Sequence, residues 1–316
     1  MNQCAIGVDL GGTSIKFGLL TLQGEVVEKI HRKTPRSKDF FHVVDVIDRG
    51  VRDLFENSKY KKDQCAGIGI GIPGVCDGEG EVIFANNLHW KNKPLKDVLE
   101  KRIGLPVKVG NDATLATVGE YKFGMLKDCR NGILLTLGTG LGAGVIIEGK
   151  IFHGSHYLGT EIGHTIIGDN FYQCNCGNYG CLETFASATA MIRYARKLLE
   201  TEPSSFLQTK TKGDPFRLNV EMIFEGVKSG DRVSEKTLKR FIHYLSMGIS
   251  NLINIFDPEV IALGGGVSYG ADVFLEDLRE KTKEYTYVRE KNPTRIEIAQ
   301  LKNDAGLMGA AGFVTE

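Results

Sequence analysis

The chain has 316 residues, of which 42% are apolar and 25% charged, and its formal net charge is zero. That length favours two domains with substantial cores. The even charge balance argues against a binder of nucleic acid that relies on a basic excess, and no apolar run reaches the roughly 18 residues needed to cross a bilayer.

The N-terminus enters an apolar strand within a few residues and lacks the basic start and long apolar core of a secretory signal. A cytoplasmic protein is expected, its cysteines being intracellular thiols plus a metal site. In chain order, Cys4–Leu10 reads as a buried strand, Gly11-Gly12-Thr13 as its turn, and residues 14–20 as a second strand. Residues 43–55 have helical periodicity, and Cys65–Ile72 is a buried strand ending at Pro73-Gly74. A short amphipathic helix is expected over 95–102, a strand over 107–109 running into Asn111-Asp112, and a helix over 113–123. Residues 131–137 form a strand, 138–144 a glycine-rich turn and 145–147 its partner strand. Helical pattern covers 182–199, and 201–215, polar with two prolines, is expected as a flexible loop. Helices follow at 222–227 and 234–256, then a strand at 260–263, a helix at 273–285, a strand at 296–299 and a closing helix at Ala305–Phe313. A strand–glycine turn–strand unit thus occurs twice, at 9–18 and 134–145, which suggests an internally duplicated nucleotide cleft.

The most informative cluster is His164, Cys174, Cys176 and Cys181, spaced H-x9-C-x-C-x4-C and followed directly by Leu182-Glu183. Imidazole and thiolate are the ligands Zn²⁺ prefers, and four of them close a tetrahedral structural site with no position for a reacting water. Unrelated free cysteines or a disulfide are the alternatives, although Cys174 and Cys176 are too close in sequence to pair easily. A metal here would shape a loop, and that loop is bracketed by the carboxylates Glu161 and Glu183. Rigidly held acceptors of this kind suit vicinal sugar hydroxyls. Otherwise both are surface groups.

Three glycine clusters each follow a strand. Asp9-x-Gly11-Gly12-Thr13-x-x-Lys16 lets backbone N–H groups approach a phosphate, with a hydroxyl from Thr13, a charge from Lys16 and a carboxylate at Asp9 for Mg²⁺ through water. It reads equally as a plain hairpin with a surface lysine. Gly138-Thr139-Gly140-x-Gly142-x-Gly144 repeats glycine at alternate positions, and Gly264-Gly265-Gly266 can lie against a base or ribose or simply open a helix. Asn111-Asp112 is either a helix cap or a general base for a sugar hydroxyl. Asn86, Asn87 and the single tryptophan, Trp90, form a stretch that suits a polyol or an exposed turn.

Together these motifs resemble the ROK family of sugar kinases, within the actin–hexokinase ATPase superfamily, over nearly the whole chain. Gly69-x-Gly71-x-Pro73-Gly74 is similar to the family's G-x-G-x-P-G turn, and Glu161-x-Gly163-His164 with Cys174-x-Cys176-x4-Cys181-Leu182-Glu183 is similar to its zinc-containing signature. The resemblance implies an α/β fold of two actin-like (ribonuclease H-like) domains closing over a cleft. One spans 1–113 and is joined by a C-terminal helix at about 303–316. The other spans 114–302 with the zinc loop at 164–181.

It implies Asp112 as the base for the sugar 6-hydroxyl, and Gly74, Asn87, Asn111, Asp112, Glu161, His164 and Glu183 as sugar-binding residues. Asp9, Gly11, Gly12, Thr13, Lys16, Thr139, Gly140, Gly265 and Gly266 would bind nucleotide and Mg²⁺, and His164, Cys174, Cys176 and Cys181 would bind zinc. The implied activity is ATP:hexose 6-phosphotransferase, glucokinase first, with N-acetylmannosamine, N-acetylglucosamine and fructose as rival substrates. A non-catalytic sugar-binding regulator is the rival from a different class. A homodimer or homotetramer is implied, with no nucleic-acid or membrane partner. Family repressors carry an N-terminal helix-turn-helix, and a chain opening on its first strand leaves no room for one. Thr160 stands where the family has a small glycine.

Overall fold

The computed structural model describes residues 3–202, 204–289 and 291–316. The chain forms two compact units, one of Met1–Arg130, Gly144–Thr160 and Gln300–Glu316, the other of Asn131–Ala143 and Glu161–Ala299.

The first unit is built from β1 (Cys4–Leu10), β2 (Ser14–Thr21), β3 (Val26–Lys33), α1 (Phe40–Glu56), β4 (Cys65–Ile72), β5 (Val75–Cys76), β6 (Val82–Ala85), β7 (Trp90–Lys93), α2 (Leu95–Ile103), β8 (Val107–Asn111) and α3 (Asp112–Phe123). Its main sheet has the order β3-β2-β1-β4-β8. β1, β2 and β3 are antiparallel, and β1, β4 and β8 are parallel. β1 and β4 read as nearly unbroken apolar and glycine runs because both of their faces are covered, as parallel strands require. α1 buries Phe40, Val43, Val44, Ile47, Val51 and Leu54 at helical spacing. The register sets Asp9 beside Gly71 and Gly71 beside Gly110. The C-terminal ends of β1, β4 and β8 therefore share one sheet edge, where ligands of open α/β sheets gather.

The second unit holds β9 (Gly132–Leu137) and the start of β10 (Leu141–Ile147), the latter leading on to β11 (Lys150–Ile151). It continues with α4 (Glu183–Ala186), α5 (Ala188–Leu199), α6 (Phe206–Lys210), α7 (Val220–Lys228), α8 (Arg232–Phe256), β12 (Val260–Gly264), α9 (Ala271–Tyr285) and β13 (Arg295–Ile298). The second sheet has the order β11-β10-β9-β12-β13, with β9, β12 and β13 parallel. This is the strand order of the first sheet repeated, as the two similar sequence halves predict.

The closing helix α10 (Ala305–Phe313) returns to the first unit. Its sequence AGLMGAAGF suits close backbone approach. A Cβ at Gly7 would stand 2.0 Å from the Leu307 carbonyl oxygen, one at Gly69 1.7 Å from that of Ala310, and one at Gly309 1.6 Å from that of Leu115 on α3. Because α3 packs on α10, the first unit runs on to Arg130 rather than ending at 113.

Two further elements differ from expectation. The helix expected over 182–199 breaks at Ser187, whose extended backbone ends α4 and whose side chain caps α5 through Ala190 N–H at 3.1 Å. The stretch expected as a flexible loop contains α6, capped by Ser205, which is held by Asp231 at 2.8 Å. Pro203, within that stretch, lies outside the described residues. β3 and the small β5-β6-β7 sheet had no signal, since VVEKIHRK is polar and the other three strands have two to four residues each.

Candidate active site

In the first unit, the turn between β1 and β2 is closed by Gly11 N–H donating to Ser14 O at 2.9 Å. Thr34 clamps it from the side, its hydroxyl donating to Gly11 O at 2.7 Å and its N–H to Thr13 O at 3.0 Å. Thr13 is exposed at the tip, and Gly11 and Gly12 are half-buried. Asp9 and Lys16 are cross-strand partners, and Lys16 Nζ donates to Asp9 Oδ2 at 2.9 Å and to Asn303 O at 3.3 Å. Gly306 in the first turn of α10 lets the helix approach Asp9, where even a Cβ would lie only 3.5 Å from the carboxylate carbon.

At the ends of β4 and β8, Asn111 joins two motifs. Its Nδ2 donates to Gly74 O at 3.1 Å, and its Oδ1 accepts from Ala113 and Thr114 N–H at 2.9 and 3.0 Å. The cap of α3 is thus Asn111, leaving Asp112 as the first helical residue rather than the cap. Asp112 is half-buried, and its Oδ1 accepts from Ala113 N–H at 2.8 Å. The buried Cys76 thiol lies in its field and is pushed up to about 12, first by burial and then by the charges of Asp77 and Asp112. Asn87 is exposed in the Asn86–Leu88 turn, packed near Gly12. Of the stretch 86–90, read as suiting a polyol or an exposed turn, Trp90 itself faces inward. It is 4% exposed, donates to Lys38 O at 2.8 Å and packs edge-on against Phe40, so it belongs to the core.

In the second unit, Gly138 N–H donates to Gly140 O at 2.9 Å, which closes the turn and leaves Thr139 exposed at its tip. Two donors from α5 hold this turn. Ala188 N–H reaches Gly138 O at 2.8 Å, and the Thr189 hydroxyl reaches Thr139 O at 2.7 Å. Gly265, at φ +81°, sits against the end of β9, where a Cβ would lie 2.5 Å from Leu137 O, whereas a Cβ on Gly266 would meet open space. Both glycine clusters of this unit therefore lie at the C-terminal edge of β9 and β12, as their counterparts do in the first.

His164, Cys174, Cys176 and Cys181 converge, their ligand atoms all within 4.8 Å of one another. His164 Nδ1 lies 3.5 Å from Cys174 Sγ, and Cys176 Sγ lies 3.5 Å from Cys181 Sγ. Zn–S bonds of about 2.3 Å at tetrahedral angles separate sulfurs by about 3.8 Å, so the set fits a four-coordinate zinc. Burial pushes the Cys181 thiol up to about 12, and a bound cation is what would convert such a thiol to thiolate.

The loop backbone is pinned by Cys174 N–H to Asn178 O at 2.8 Å and Leu182 N–H to Thr165 O at 2.9 Å. Of the bracketing carboxylates, Glu161 is exposed and lies 3.9 Å from His164 Nε2. Glu183 is half-buried; its Oε2 accepts from Leu141 N–H at 2.8 Å, and its Oε1 lies 3.7 Å from Cys174 Sγ. The metal cluster and the second glycine turn are thereby joined through one carboxylate. The residues that shape the turns, Thr34, Ser187 and Thr189, carried no sequence motif. Only the helix-cap preference of Ser187 was a readable signal.

The ROK family model matches residues 5–316. The chain belongs to the ROK family. It is 35% identical over 315 residues to a glucokinase of Thermotoga maritima, covering 98% of this chain and 97% of that protein. It is also 33% identical to a xylose repressor of Caldicellulosiruptor bescii, over 98% of this chain and 77% of the repressor. Among solved structures it resembles a ROK glucokinase from Streptomyces griseus in complex with glucose and AMPPNP, with a TM-score of 0.84, 34% identity and 98% coverage of both chains. The repeated α/β sheets are thus those of the actin-like superfamily to which ROK kinases belong.

Proposed function

We propose that this protein is an ATP-dependent hexose kinase that phosphorylates the 6-hydroxyl, with glucose as its first substrate. The observation that carries this reading is Asp112, which opens α3 at the same sheet edge where the Asp9–Thr13 turn leaves β1. A base and a phosphate-binding turn on one edge are what phosphoryl transfer to a hydroxyl needs. The likeness to glucokinases, one of them holding glucose and AMPPNP, supports the choice of substrate and nucleotide.

In this mechanism Asn111 and Gly74 are tied together and, with Asn87, line the sugar beside Asp112. On the second unit, Glu161 and Glu183 would accept from sugar hydroxyls, and His164, with Nδ1 turned to the cysteines, would donate to one through Nε2. Asp112 takes the 6-hydroxyl proton as that oxygen attacks the γ-phosphorus in line; the bond to the bridging oxygen breaks and ADP leaves. The N–H groups of Gly11, Gly12 and Gly140, with the hydroxyls of Thr13 and Thr139 and the charge of Lys16, stabilise the phosphates. Gly265 and Gly266 take the adenosine. Mg²⁺, held through water by Asp9, would neutralise phosphate charge. His164, Cys174, Cys176 and Cys181 would hold a zinc with no open position, which supplies rigidity to the loop rather than chemistry.

Asp112→Asn tests the base. Glucose affinity measured by calorimetry should stay near that of the parent, while turnover falls about 10²–10⁴-fold. Near-normal turnover would remove Asp112 from the role. The kinship with a xylose repressor favours one second reading, a sugar-binding regulator. A parent chain that binds sugar and nucleotide yet releases no ADP would establish it.

A further inference from the structure

We propose that Arg240 is a positioning residue that sets Glu183 in place, acting through Asn170 and Thr184. The proposal rests on the reading of Glu183 as a sugar ligand.

α4 has only four residues, too few to satisfy its own carbonyls, so each must find a partner elsewhere. Thr184, next to Glu183, is 4% exposed, and its carbonyl accepts two bonds from the zinc loop: Asn170 Nδ2 at 2.7 Å and the Tyr172 hydroxyl at 2.8 Å. Asn170 is oriented in turn from α8, because Arg240 Nη2 donates to its Oδ1 at 3.0 Å. The same oxygen accepts from Phe171 N–H at 2.9 Å, so the amide of Asn170 is held in one sense, oxygen toward the guanidinium and nitrogen toward Thr184. Arg240 has little freedom of its own. Its guanidinium carbon lies 4.9, 4.7 and 4.9 Å from the ring centroids of Phe185, Tyr194 and Tyr244. Phe185 and Tyr244 are stacked at 3.8 Å. Three aromatic faces and a directed hydrogen bond suit arginine's planar fork and not a lysine's point charge.

The path therefore runs from a caged cation on a 25-residue helix, through one amide, to the carbonyl of Thr184, the residue after Glu183. The Glu183 carboxylate, one residue before that carbonyl, accepts from Leu141 N–H at 2.8 Å and lies 3.7 Å from Cys174 Sγ, so a shift of the α4 backbone would move it against both. Supports of this kind govern how well a preorganised acceptor binds.

The test compares zinc-loaded Arg240→Met, Arg240→Lys, Asn170→Ala and the Arg240→Met/Asn170→Ala double variant with the parent, using glucose as the probe. Glucose Kd by calorimetry and glucose KM should rise about tenfold in Arg240→Met and in Asn170→Ala. The double variant should rise no further than the larger single, as two steps of one path require. Arg240→Lys should fall between parent and Met, while the KM for ATP stays within about twofold and zinc remains near one per chain.

Unchanged glucose Kd in Arg240→Met, or single effects that multiply in the double variant, would overturn the proposal. Should Arg240→Met fail to fold, Asn170→Ala and Arg240→Lys read the same path with the cation retained, and unchanged glucose Kd in both overturns it equally. Glu183→Gln separates the two layers. If it leaves glucose binding intact, the sugar-ligand reading fails; if it weakens binding while Arg240→Met does not, the positioning role alone fails.

Discussion

The two glycine turns of this molecule occupy the same place in two sheets of the same strand order, yet they are secured differently. The first, Gly11-Gly12-Thr13, is held within its own unit by Thr34, by the Asp9–Lys16 pair and by the close approach of α10. The second, Gly138-Thr139-Gly140, is held by α5 and by the Glu183 carboxylate, which also approaches the cysteine cluster. A Cβ at Gly140 would stand 2.3 Å from Glu183 Oε2, so turn and carboxylate are packed without slack. One turn thus depends on glycine-mediated backbone packing, and the other on a loop that a metal would stiffen.

Removing the metal ligands should sharpen this contrast most. Cys181→Ser should abolish stoichiometric zinc in metal analysis and speed amide exchange across residues 138–141 and 164–183, while exchange in β1 and β2 stays as in the parent. Structural zinc contributes about 10–16 kcal/mol of apparent binding free energy in small zinc domains, so this is the largest expected effect. Equal loosening of both turns would show that the second does not depend on the metal loop.

The counterpart for the first unit is Gly309→Val. With a Cβ only 1.6 Å from the Leu115 carbonyl oxygen, α3 and α10 must separate, and urea unfolding should show a loss of about 3 kcal/mol. Zinc content should not change. Glu120→Gln should cost somewhat less, about 2 kcal/mol. Its fully buried carboxylate accepts from Met125, Gln300 and Leu301 N–H at 2.7, 3.1 and 2.7 Å, and an amide nitrogen cannot replace one of those acceptors.

The last effect is absent at neutral pH and appears only on the alkaline side. Burial raises the Cys76 thiol from its ordinary 9.0 to about 12, so the native state keeps a proton that the unfolded chain releases. This contribution to stability is fully present below about pH 9 and is lost as pH rises toward 12. Cys76→Ala should flatten that alkaline decline in denaturant midpoints. An unchanged slope would assign it to other groups.

Much of this molecule was legible in its sequence, for stated physical reasons. Buried parallel strands such as Cys65–Ile72 announce themselves as apolar and glycine runs, and their ends locate the turns that follow. The spacing of His164, Cys174, Cys176 and Cys181 brought four ligand atoms together as a metal site requires. What stayed hidden depends on contacts distant in sequence. Trp90 beside two exposed amides reads as a binding surface until Phe40 and Lys38, about fifty positions away, enclose it. The break at Ser187 shows in the sequence only as a helix-cap preference within a continuous apolar pattern; what it serves, the Ala188 N–H donating to Gly138 O, is a contact about fifty positions away. Arg240 reads as an ordinary helix-surface cation until three rings from three helices surround it.

The most direct test of the account is a coupled ADP-release assay of the zinc-loaded protein with Mg-ATP, run in parallel on glucose, N-acetylmannosamine, N-acetylglucosamine and fructose. The account predicts sugar-dependent ADP release with glucose preferred and the phosphate on its 6-oxygen. Glucose binding without ADP release from any of these sugars would contradict it and leave a regulator in place of a kinase.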